Sequence, residues 1–259
     1  MNFYFCRKFI PVQDPKKDIV SFVQLLRKQL LIQQEKQHLD FVEVRTERFI
    51  LFLYYPKTVR AAESQDQTVI HIDYDQLMTV PQKIINRVRG LQGLGERIYA
   101  RSTVVARIDK GVSMAFQEEH HLQGAIPGKY RYGLFHQGEL VSVAVFSGGR
   151  IMQTLGPNYR SFELIRFCHK GDVLVVGGLS KLLKSFIKDF APQDIMTYTD
   201  RDWSSDDSSL QTIGFKPVGF MSPLRFAIIG GRRQLHFTDL DQIDYYVENK
   251  GSLKLKLIL

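Results

Sequence analysis

Two glycines, a leucine, a serine and a lysine follow one another at Gly177–Lys181, where a β-favouring stretch gives way to an amphipathic one. Paired glycines let the backbone approach a ligand closely, and the free N–H groups and dipole of a helix start attract anions. The segment therefore predicts a site for a pyrophosphate or a similar group. The same residues also suit a tight turn in which Ser180 caps the helix, and the motif alone leaves both interpretations open.

Other candidate residues lie near the predicted ends of strands. Asp200 ends a β-favouring stretch that begins at Ile195, and active-site residues often stand at the carboxyl ends of strands. The acidic and serine residues at 202–207 are instead typical of a turn that caps a helix. His121, which follows His120 and two glutamates, fits either a metal ligand or a side chain that hydrogen-bonds within its loop. We predict the second role and no metal site.

The elements that position these residues indicate two domains and an extension. The chain has 259 residues, of which 44% are apolar, which is enough for two compact units with separate cores. A helical period over residues 18–38 is followed by short β-favouring stretches, which predicts a smaller α+β domain at the amino terminus. Gly90, Gly93 and Gly95 mark its end. The predicted divisions are 1–95, 96–225 and 226–259, the last being a β-rich or irregular extension.

The middle segment predicts a mixed sheet with flanking helices. Apolar alternation at Tyr130–Phe135 and Leu140–Phe146, with a polar turn between them, predicts a β-hairpin. A strand at Phe162–Cys168, the glycine-containing loop, a helix over 179–190 and a strand at 195–200 then follow in the order of a βαβ crossover. The predicted fold class is therefore α+β or α/β.

Much of the net charge of +8 comes from one segment. Between residues 81 and 110, seven basic residues accompany two acidic ones. Such a segment fits DNA or RNA as a partner if its arginines share one exposed face, because binding depends on several simultaneous phosphate contacts. It also fits a solvated helix face and a linker. The predicted nucleic-acid contacts are Arg87, Arg89, Arg97 and Arg101.

Composition argues against several classes of protein. No window reaches the roughly 18 uncharged apolar residues of a membrane span. The short apolar stretch before Arg7 and Lys8 does not have the form of a secretory signal. Cys6 and Cys168 are the only cysteines, too few for a disulfide framework or a cysteine-rich zinc site. We expect a cytoplasmic protein with reduced thiols and no membrane association.

The order of these motifs resembles that of acyl-CoA N-acyltransferase-like (GNAT) domains, and in particular of GNAT-like domains attached to homing-endonuclease-type nucleases in phages. The motifs that carry the resemblance are His121–Gly124, Tyr132–Phe135, Gly138–Val141, Val176–Leu183 and Tyr198–Ser204. Val69–Ile72 and Arg97–Arg101 resemble the junction that such nucleases use. Residues 1–75 contain no acid-x-lysine strand to hold a catalytic metal, so the first domain looks like a degenerate nuclease remnant or an unrelated domain.

A second resemblance is to Mom-type proteins, GNAT-fold enzymes that modify adenine in phage DNA. The shared pattern comprises a histidine before the hairpin, an acidic-Leu-x-Arg strand at Glu163, a serine-bearing loop and an aromatic-x-Asp strand end at Asp200. Together the resemblances imply an acyl-CoA cofactor, acetyl-CoA or another. They imply cofactor-binding residues Val176, Gly177, Gly178, Leu179, Ser180 and Lys181. The implied catalytic residues are Asp200, His121, Arg166 and Glu163.

In the implied mechanism an amine attacks the thioester carbonyl, N–H groups of the Phe162–Cys168 strand polarise its oxygen, and Asp200 or His121 takes the proton. Two positions depart from the family pattern. Val175 stands where Gln or Arg is usual, and Leu210 stands where relatives carry a tyrosine that protonates the leaving thiolate. Leucine donates no proton, and general acid catalysis is worth about 10²- to 10⁴-fold in rate. The alternative function is therefore a catalytically silent nucleic-acid-binding module.

Overall fold

The structure is a computed structural model that describes residues 14–62, 67–203, 210–238 and 240–259. The chain forms two compact units, each made of two segments: Met1–Pro81 with Ser222–Gly251, and Gln82–Met221 with Ser252–Leu259. Among the described residues no helix is long and apolar enough to cross a membrane.

The described residues form five α-helices and seventeen strands. The helices are α1 (Pro15–Arg27), α2 (Tyr74–Thr79), α3 (Pro81–Gln92), α4 (Lys110–His120) and α5 (Gly178–Phe190). The strands are β1 (Gln34–Gln37), β2 (Phe41–Arg45), β3 (Phe49–Tyr54), β4 (Thr68–Ile72), β5 (Glu96–Tyr99), β6 (Val104–Arg107), β7 (Tyr130–His136), β8 (Glu139–Phe146), β9 (Arg150–Ile151), β10 (Arg160–His169), β11 (Val173–Val176), β12 (Asp194–Asp200), β13 (Lys216–Met221), β14 (Arg225–Ile229), β15 (Arg232–Gln234), β16 (Tyr245–Glu248) and β17 (Ser252–Ile258).

The first unit contains a four-stranded sheet in the order β1-β2-β3-β4 and a three-stranded sheet in the order β15-β14-β16. All six residues of β3 are buried, as expected for a central strand covered on both faces. Helix α1 buries Ile19, Phe22, Val23 and Leu26, which recur at helical spacing along one side. Helix α2 starts at a capping box formed by Asp73 and Gln76.

The helix predicted over residues 18–38 is shorter in the structure. Helix α1 ends at Arg27, and Gln34–Gln37 is strand β1, which pairs antiparallel with β2. The apolar stripe of α1 stops at Leu26 and Leu30, and Leu31 is exposed. Without further apolar residues at helical spacing, the chain satisfies its backbone groups by pairing at the sheet edge instead.

The second unit contains an eight-stranded sheet in the order β13-β17-β12-β10-β8-β7-β6, with β9 paired to β10. Alternate residues of β8 face opposite sides, because side chains alternate along a strand. Ala144 and Phe146 belong to the core that includes Phe186 of α5, whereas Val143 and Val145 cluster with Phe116 of α4. Helices therefore flank the sheet on both faces, and the predicted mixed sheet with flanking helices is confirmed.

The predicted hairpin and crossover are also confirmed. β7 and β8 pair antiparallel around a turn at Gln137 and Gly138, both with positive φ. β10 and β12 pair in parallel, with α5 between them in sequence. A separate two-stranded parallel sheet pairs β11 with β5.

The units divide the chain differently from the predicted boundaries at residues 95 and 225. Lys83 of α3 donates to the carbonyl oxygens of Glu118 (2.5 Å) and His121 (3.0 Å) within the second unit. At the other end, β17 pairs with the whole of β12, from Asp194 to Asp200. Both assignments depend on contacts between residues distant in sequence.

Candidate functional site

The parallel strands β10 and β12 separate partway along their length. Backbone pairing joins Ser161–Glu163 to Asp194–Met196 and goes no further. At that point Thr197 Oγ1 donates to the carbonyl oxygen of Leu164 (2.8 Å), and a β-bulge between Leu164 and Arg166 bends β10. Beyond it β10 pairs with β8 and β12 pairs with β17. A gap therefore lies between the carboxyl ends of the two strands.

The opposite ends of these strands are held together by Asp194, which is fully buried. Its carboxylate accepts hydrogen bonds from Tyr159 Oη (2.8 Å) and Ser161 Oγ and pairs with Lys256 Nζ (3.0 Å). Burial raises the pKa of Asp194 but these three donors outweigh it, so that the pKa lies below its ordinary value. The split is thus anchored at one end and open at the other.

The predicted cofactor segment forms the start of α5. Gly177 is the N-cap residue with φ of 77°, a left-handed conformation that favours glycine. Val176 and Gly177 are exposed, Gly178 and Leu179 are buried, and Ser180 is half-buried. A Cβ at Gly178 would approach Val175 at 3.1 Å. The exposed part of the segment is therefore Val176 and Gly177, with the first-turn amides of α5 beyond them.

Lys181 has a different role from the one predicted. Its ammonium group donates to the carbonyl oxygens of Ala100 (2.7 Å) and Thr103 and lies 3.4 Å from Thr103 Oγ1. An ammonium has three donors, and three protein oxygens surround this one. Lys181 therefore fixes the turn between β5 and β6 instead of presenting its charge to a ligand.

His121 follows the last residue of α4 and is half-buried. Gln123 donates its backbone N–H to His121 Nδ1 (3.0 Å), which is the loop hydrogen bond that the sequence predicted. Burial, together with the neighbouring Arg166 and Arg87 guanidinium groups, lowers the pKa of His121 to about 4. The imidazole is therefore neutral at pH 7.

Arg166 and Glu163 lie on β10 on either side of its bulge. Arg166 Nη1 donates to the carbonyl oxygen of Ile165 (3.0 Å), and Nε is buried with no hydrogen-bond partner among the described residues. Burial lowers the pKa of Arg166, while the negative charge of Glu163 raises it. The two side chains interact electrostatically, but no described ion pair joins them within 4 Å.

Arg87 belongs to the same cluster and not to an exposed basic face. It lies one helical turn after Lys83 on α3, and Lys83 bonds to the end of α4. The Arg87 side chain is exposed to solvent, and the partial desolvation of its guanidinium lowers its pKa. The negative charge of Asp200 acts on this pKa in the opposite direction.

The four predicted nucleic-acid arginines do not share one exposed face. Arg87 and Arg89 are two residues apart on α3, and side chains at that spacing do not face the same way. Arg89 Nε is buried, whereas Arg97 is exposed and Arg101 lies 5.1 Å over the ring of Tyr99. The four side chains therefore do not share one exposed face: Arg87, Arg97 and Arg101 are exposed and Arg89 is half-buried. Arg97 and Arg101 form the exposed pair outside α3.

Asp200 stands at the open end of β12, where it was predicted. Its Oδ1 accepts the backbone N–H of Asp202 (3.0 Å), and Gln123 Nε2 lies 3.5 Å from its Oδ2. Gln123 thus links the His121 loop to the end of β12. Asp200, His121, Arg166 and Arg87 therefore lie near one another at the open end of the split.

Three neighbouring residues were not predicted from the sequence. Thr199 Oγ1 is buried without a hydrogen-bond partner among the described residues. Burial raises the pKa of the Cys168 thiol to about 12 and lowers the pKa of His169 to about 4, so both are neutral at pH 7. His169 Nδ1 lies 2.6 Å from Ser142 Oγ. Only their position at the carboxyl ends of the predicted strands could have indicated them.

The side chains of Leu210 and Trp203 both have packing roles. Leu210, at the position where relatives carry tyrosine, packs against the main core of the second unit. Trp203 is 7% exposed, which favours the core interpretation over base stacking. Of the serine and aspartate turn that follows, residues 204–209 lie outside the described part of the chain.

Several solved acetyltransferase structures share a likeness with this chain. An IAA acetyltransferase from Bacillus cereus is 13% identical, with 61% of this chain and 100% of that chain covered and a TM-score of 0.36. A GNAT family acetyltransferase from Elizabethkingia anophelis with acetyl-CoA bound is 10% identical, with 61% and 99% covered and a TM-score of 0.35. A polyamine N-acetyltransferase from Drosophila melanogaster is 11% identical, with 61% and 100% covered and a TM-score of 0.38.

At these identities and scores the likeness says nothing about the reaction or the substrate of this chain. No protein-family model matches the sequence, and no curated protein matches it. None of the three acetyltransferases is described as a phage nuclease-associated or Mom-type protein. The phage and DNA-modification resemblances therefore stay predictions.

Proposed function

We propose that the second unit is a GNAT-type transferase that moves an acyl group from acyl-CoA to an amine. The observation that carries this function is the split between β10 and β12. Each strand has a buried polar atom without a described partner near the split, Arg166 Nε on β10 and Thr199 Oγ1 on β12. Buried polar groups are nearly always paired in a complete structure, so such atoms point to a ligand.

The start of α5 fits the phosphate end of such a cofactor. Gly177 has no side chain to cap the helix, which leaves first-turn N–H groups of α5 available, and these groups with the helix dipole favour anions. Val176, Gly177 and Ser180 would line this end, while Lys181 is excluded because it holds the turn at Ala100 and Thr103. Acyl-CoA would supply the activated thioester carbonyl.

The side chains at the split have distinct roles in this scheme. Nδ1 of the neutral His121 ring lies 3.0 Å from the backbone nitrogen and 3.2 Å from the carbonyl oxygen of Gln123, so Nε2 is the ring nitrogen left to bond the acceptor. Asp200 is then the group that removes the proton from the attacking amine. N–H groups of β10 beyond the bulge at Arg166 stabilise the developing oxyanion. His121 orients the acceptor and does not serve as the base.

Coenzyme A binding tests this proposal directly. Adding CoA should raise the melting temperature of the protein, because a ligand that binds only the folded state stabilises it. In an acyl-transfer assay with acetyl-CoA and a panel of primary amines, Asp200→Asn should keep CoA binding and lower the rate by about 10²- to 10⁴-fold. Glu139→Gln, on the exposed hairpin turn, is the control. No stabilisation at millimolar CoA would overturn the function.

Nucleic-acid binding without catalysis is the second candidate function. Leu210 favours it, since this residue lies in the apolar core and supplies no proton donor. The exposed pair Arg97 and Arg101 would contact phosphates of DNA or RNA. Replacing both with glutamine should weaken binding of all sequences similarly and reduce the salt dependence between roughly 50 and 200 mM. Affinity that stays flat over this range would exclude the role.

A further inference from the structure

Two arginines beside the split, Arg166 and Arg87, have guanidinium donors without described partners. A guanidinium has five N–H donors. Arg166 uses one of them on the carbonyl oxygen of Ile165, and its Nε is buried without a partner. Arg87 makes no hydrogen bond or ion pair with any residue that the structure describes. Most of the donor capacity of this pair is therefore unused.

The neighbouring side chains that the structure describes do not accept hydrogen bonds from the free donors of Arg87 and Arg166. Glu163 and Asp200 act on the two arginines electrostatically, but neither forms an ion pair with them within 4 Å among the described residues. His121 and His169 are neutral at pH 7 because their pKa values are about 4. The neighbouring ammonium of Lys83 is directed to two carbonyl oxygens at the end of α4.

We infer that Arg87 and Arg166 bind a carboxylate or phosphate group carried by the acyl acceptor. The planar donor fork of arginine matches the oxygen pair of either group and binds it in a bidentate manner. That the oxyanion belongs to an acceptor depends on the proposed transferase function. The oxyanion site itself depends only on the two guanidinium groups and their surroundings.

The arginine pair lies on the opposite side of the sheet from the helix assigned to the cofactor. Cys168, two residues after Arg166 on β10, packs with Phe116 of α4 and with Val143, so Arg166 faces the α4 side. Helix α5 packs on the other face, against Phe146. An oxyanion at the arginines is thus distinct from the phosphates at the start of α5, and the gap between β10 and β12 connects the two sides.

Titration with sodium phosphate and with sodium acetate tests the site in the full-length protein, with and without saturating CoA. We expect saturable binding of at least one of the two ions, and the ion that binds more tightly identifies the group on the acceptor. The double variant Arg87→Gln with Arg166→Gln should weaken that binding by about tenfold or more, equivalent to about 1.4 kcal/mol. The matched control is Arg150→Gln with Arg160→Gln, which removes the same charge from exposed positions of the second unit and should keep the affinity within about twofold.

Each outcome decides one of the two proposals. If CoA binds and neither ion does, the oxyanion site is wrong and the transferase stands. If an ion binds through Arg87 and Arg166 while CoA does not, the transferase is wrong and the site stands. Equal loss in the control variant would show a general charge effect and overturn the site. If the double variant fails to fold, Arg166→Lys keeps the charge but removes the fork, and an unchanged affinity in it would equally overturn the site.

Discussion

The same residue types, two arginines and two acidic residues, form a cluster in each unit, and the two clusters are built in opposite ways. In the first unit Arg60 forms two hydrogen bonds to Asp73 (2.6 and 3.0 Å). Arg233 bonds to Asp73 (2.5 Å) and to Asp75 (2.6 and 3.1 Å). In the second unit Arg87 and Arg166, near Asp200 and Glu163, form no such pairs among the described residues.

The difference separates a structural network from a candidate binding site. Asp73 and Asp75 are almost completely buried. Burial lowers the pKa of Arg233, but the two carboxylates raise it more, so that the net shift is upward. The pKa values of Arg87 and Arg166, by contrast, are lowered by burial and only partly restored by distant acids. Removing one partner of a buried ion pair destabilises the fold. Charged side chains without a described partner, such as Arg87 and Arg166, are instead candidates for binding a ligand.

The largest expected effect is on the paired network. Asp73→Asn leaves Arg60 and Arg233, whose side chains are 18% and 21% exposed, without their shared buried carboxylate. Breaking a buried pair costs about 3–5 kcal/mol. We expect a loss of this size in the free energy of unfolding of the first unit, measured by hydrogen exchange at the amides of β4 during urea titration.

Asp14→Asn is the control for this change. It removes an exposed carboxylate that lies 3.9 Å from Lys17, and surface pairs contribute about 0–1 kcal/mol. If Asp73→Asn cost no more than this control, the network of the first unit would be as dispensable as a surface pair and the contrast between the clusters would disappear.

The next largest effect is on the pH dependence of stability, and it comes from a histidine beside each cluster. The pKa values of His71 and His121 are about 4, lowered first by burial and then by the adjacent arginines. Unfolded histidine titrates near 6.5, so between these values the unfolded chain binds more protons and stability falls as pH falls. For His71, which is 1% exposed, the loss from pH 7 to pH 4 should approach about 3 kcal/mol.

Urea denaturation at several pH values measures this loss, and His71→Asn supplies the comparison. The variant should be less stable at pH 7.5, because it loses the contact of His71 Nδ1 with Tyr54 Oη at 2.8 Å. Its stability should nevertheless fall less steeply between pH 6.5 and 4. If stability depended on pH in the same way in the wild type and the variant, the pKa of His71 would not be lowered in the folded state.

Local sequence patterns accounted for the hairpin and the crossover but not for the division into units. Alternation in β7 and β8 and the turn at Gly138 are encoded within a few residues. The return of Ser222–Gly251 to the first unit and the pairing of β17 with β12 depend on contacts across long stretches of chain. The early end of α1 was missed because the glutamine, lysine and leucine residues after Arg27 favour a helix locally, whereas the pairing of β1 with β2 is a tertiary contact that overrides this preference.

For the candidate site, the sequence indicated which residues are involved better than it indicated which contacts their side chains make. Asp200, His121 and Arg166 were chosen from strand ends and family resemblance, and they do lie around one split. The placement of Arg87 could not be derived from its charge, since only the packing of α3 shows which way it faces. Lys181 was misassigned because the carbonyl oxygens of Ala100 and Thr103 come from a distant turn.

Lys181 provides a further comparison with Arg87 and Arg166, because its ammonium group lies in the same unit but has hydrogen-bond partners. Lys181→Met removes the donor to these two carbonyl oxygens, and hydrogen bonds to a charged group contribute about 1.5–3 kcal/mol. A destabilisation in that range should appear in the fluorescence of Trp203, the single tryptophan of the chain, during urea unfolding. Lys184→Met, on the exposed side of the same helix, should stay within about 0.5 kcal/mol of the wild type. Equal effects would show that the ammonium contacts contribute nothing.

The smallest and most diagnostic effect is expected at Arg166. Arg166→Met removes a half-buried charge that has no ion pair in the described part of the chain, together with the cost of keeping its Nε out of water. The stability of the second unit should therefore stay within about 0.5 kcal/mol of the wild type or rise by about 1 kcal/mol, as for binding residues that are retained at the expense of stability. Arg131→Met is the matched control. Arg131 is also half-buried with an unpartnered Nε, but its Nη1 donates to the carbonyl oxygens of Pro127 (3.1 Å) and Gly128 (3.0 Å).

Removing Arg131 should consequently cost about 1–3 kcal/mol, because the carbonyl oxygens of Pro127 and Gly128 lose a charged donor. Arg131 and Arg166 differ in the groups to which their guanidinium donors bond. Comparing the change in unfolding free energy of Arg166→Met with that of Arg131→Met therefore tests whether donors without partners mark a ligand site. Trp203 fluorescence during urea unfolding reports both variants on one scale. If Arg166→Met proved as destabilising as Arg131→Met, Arg166 would be part of the architecture of the sheet. The open cluster would then be as structural as the paired network of the first unit.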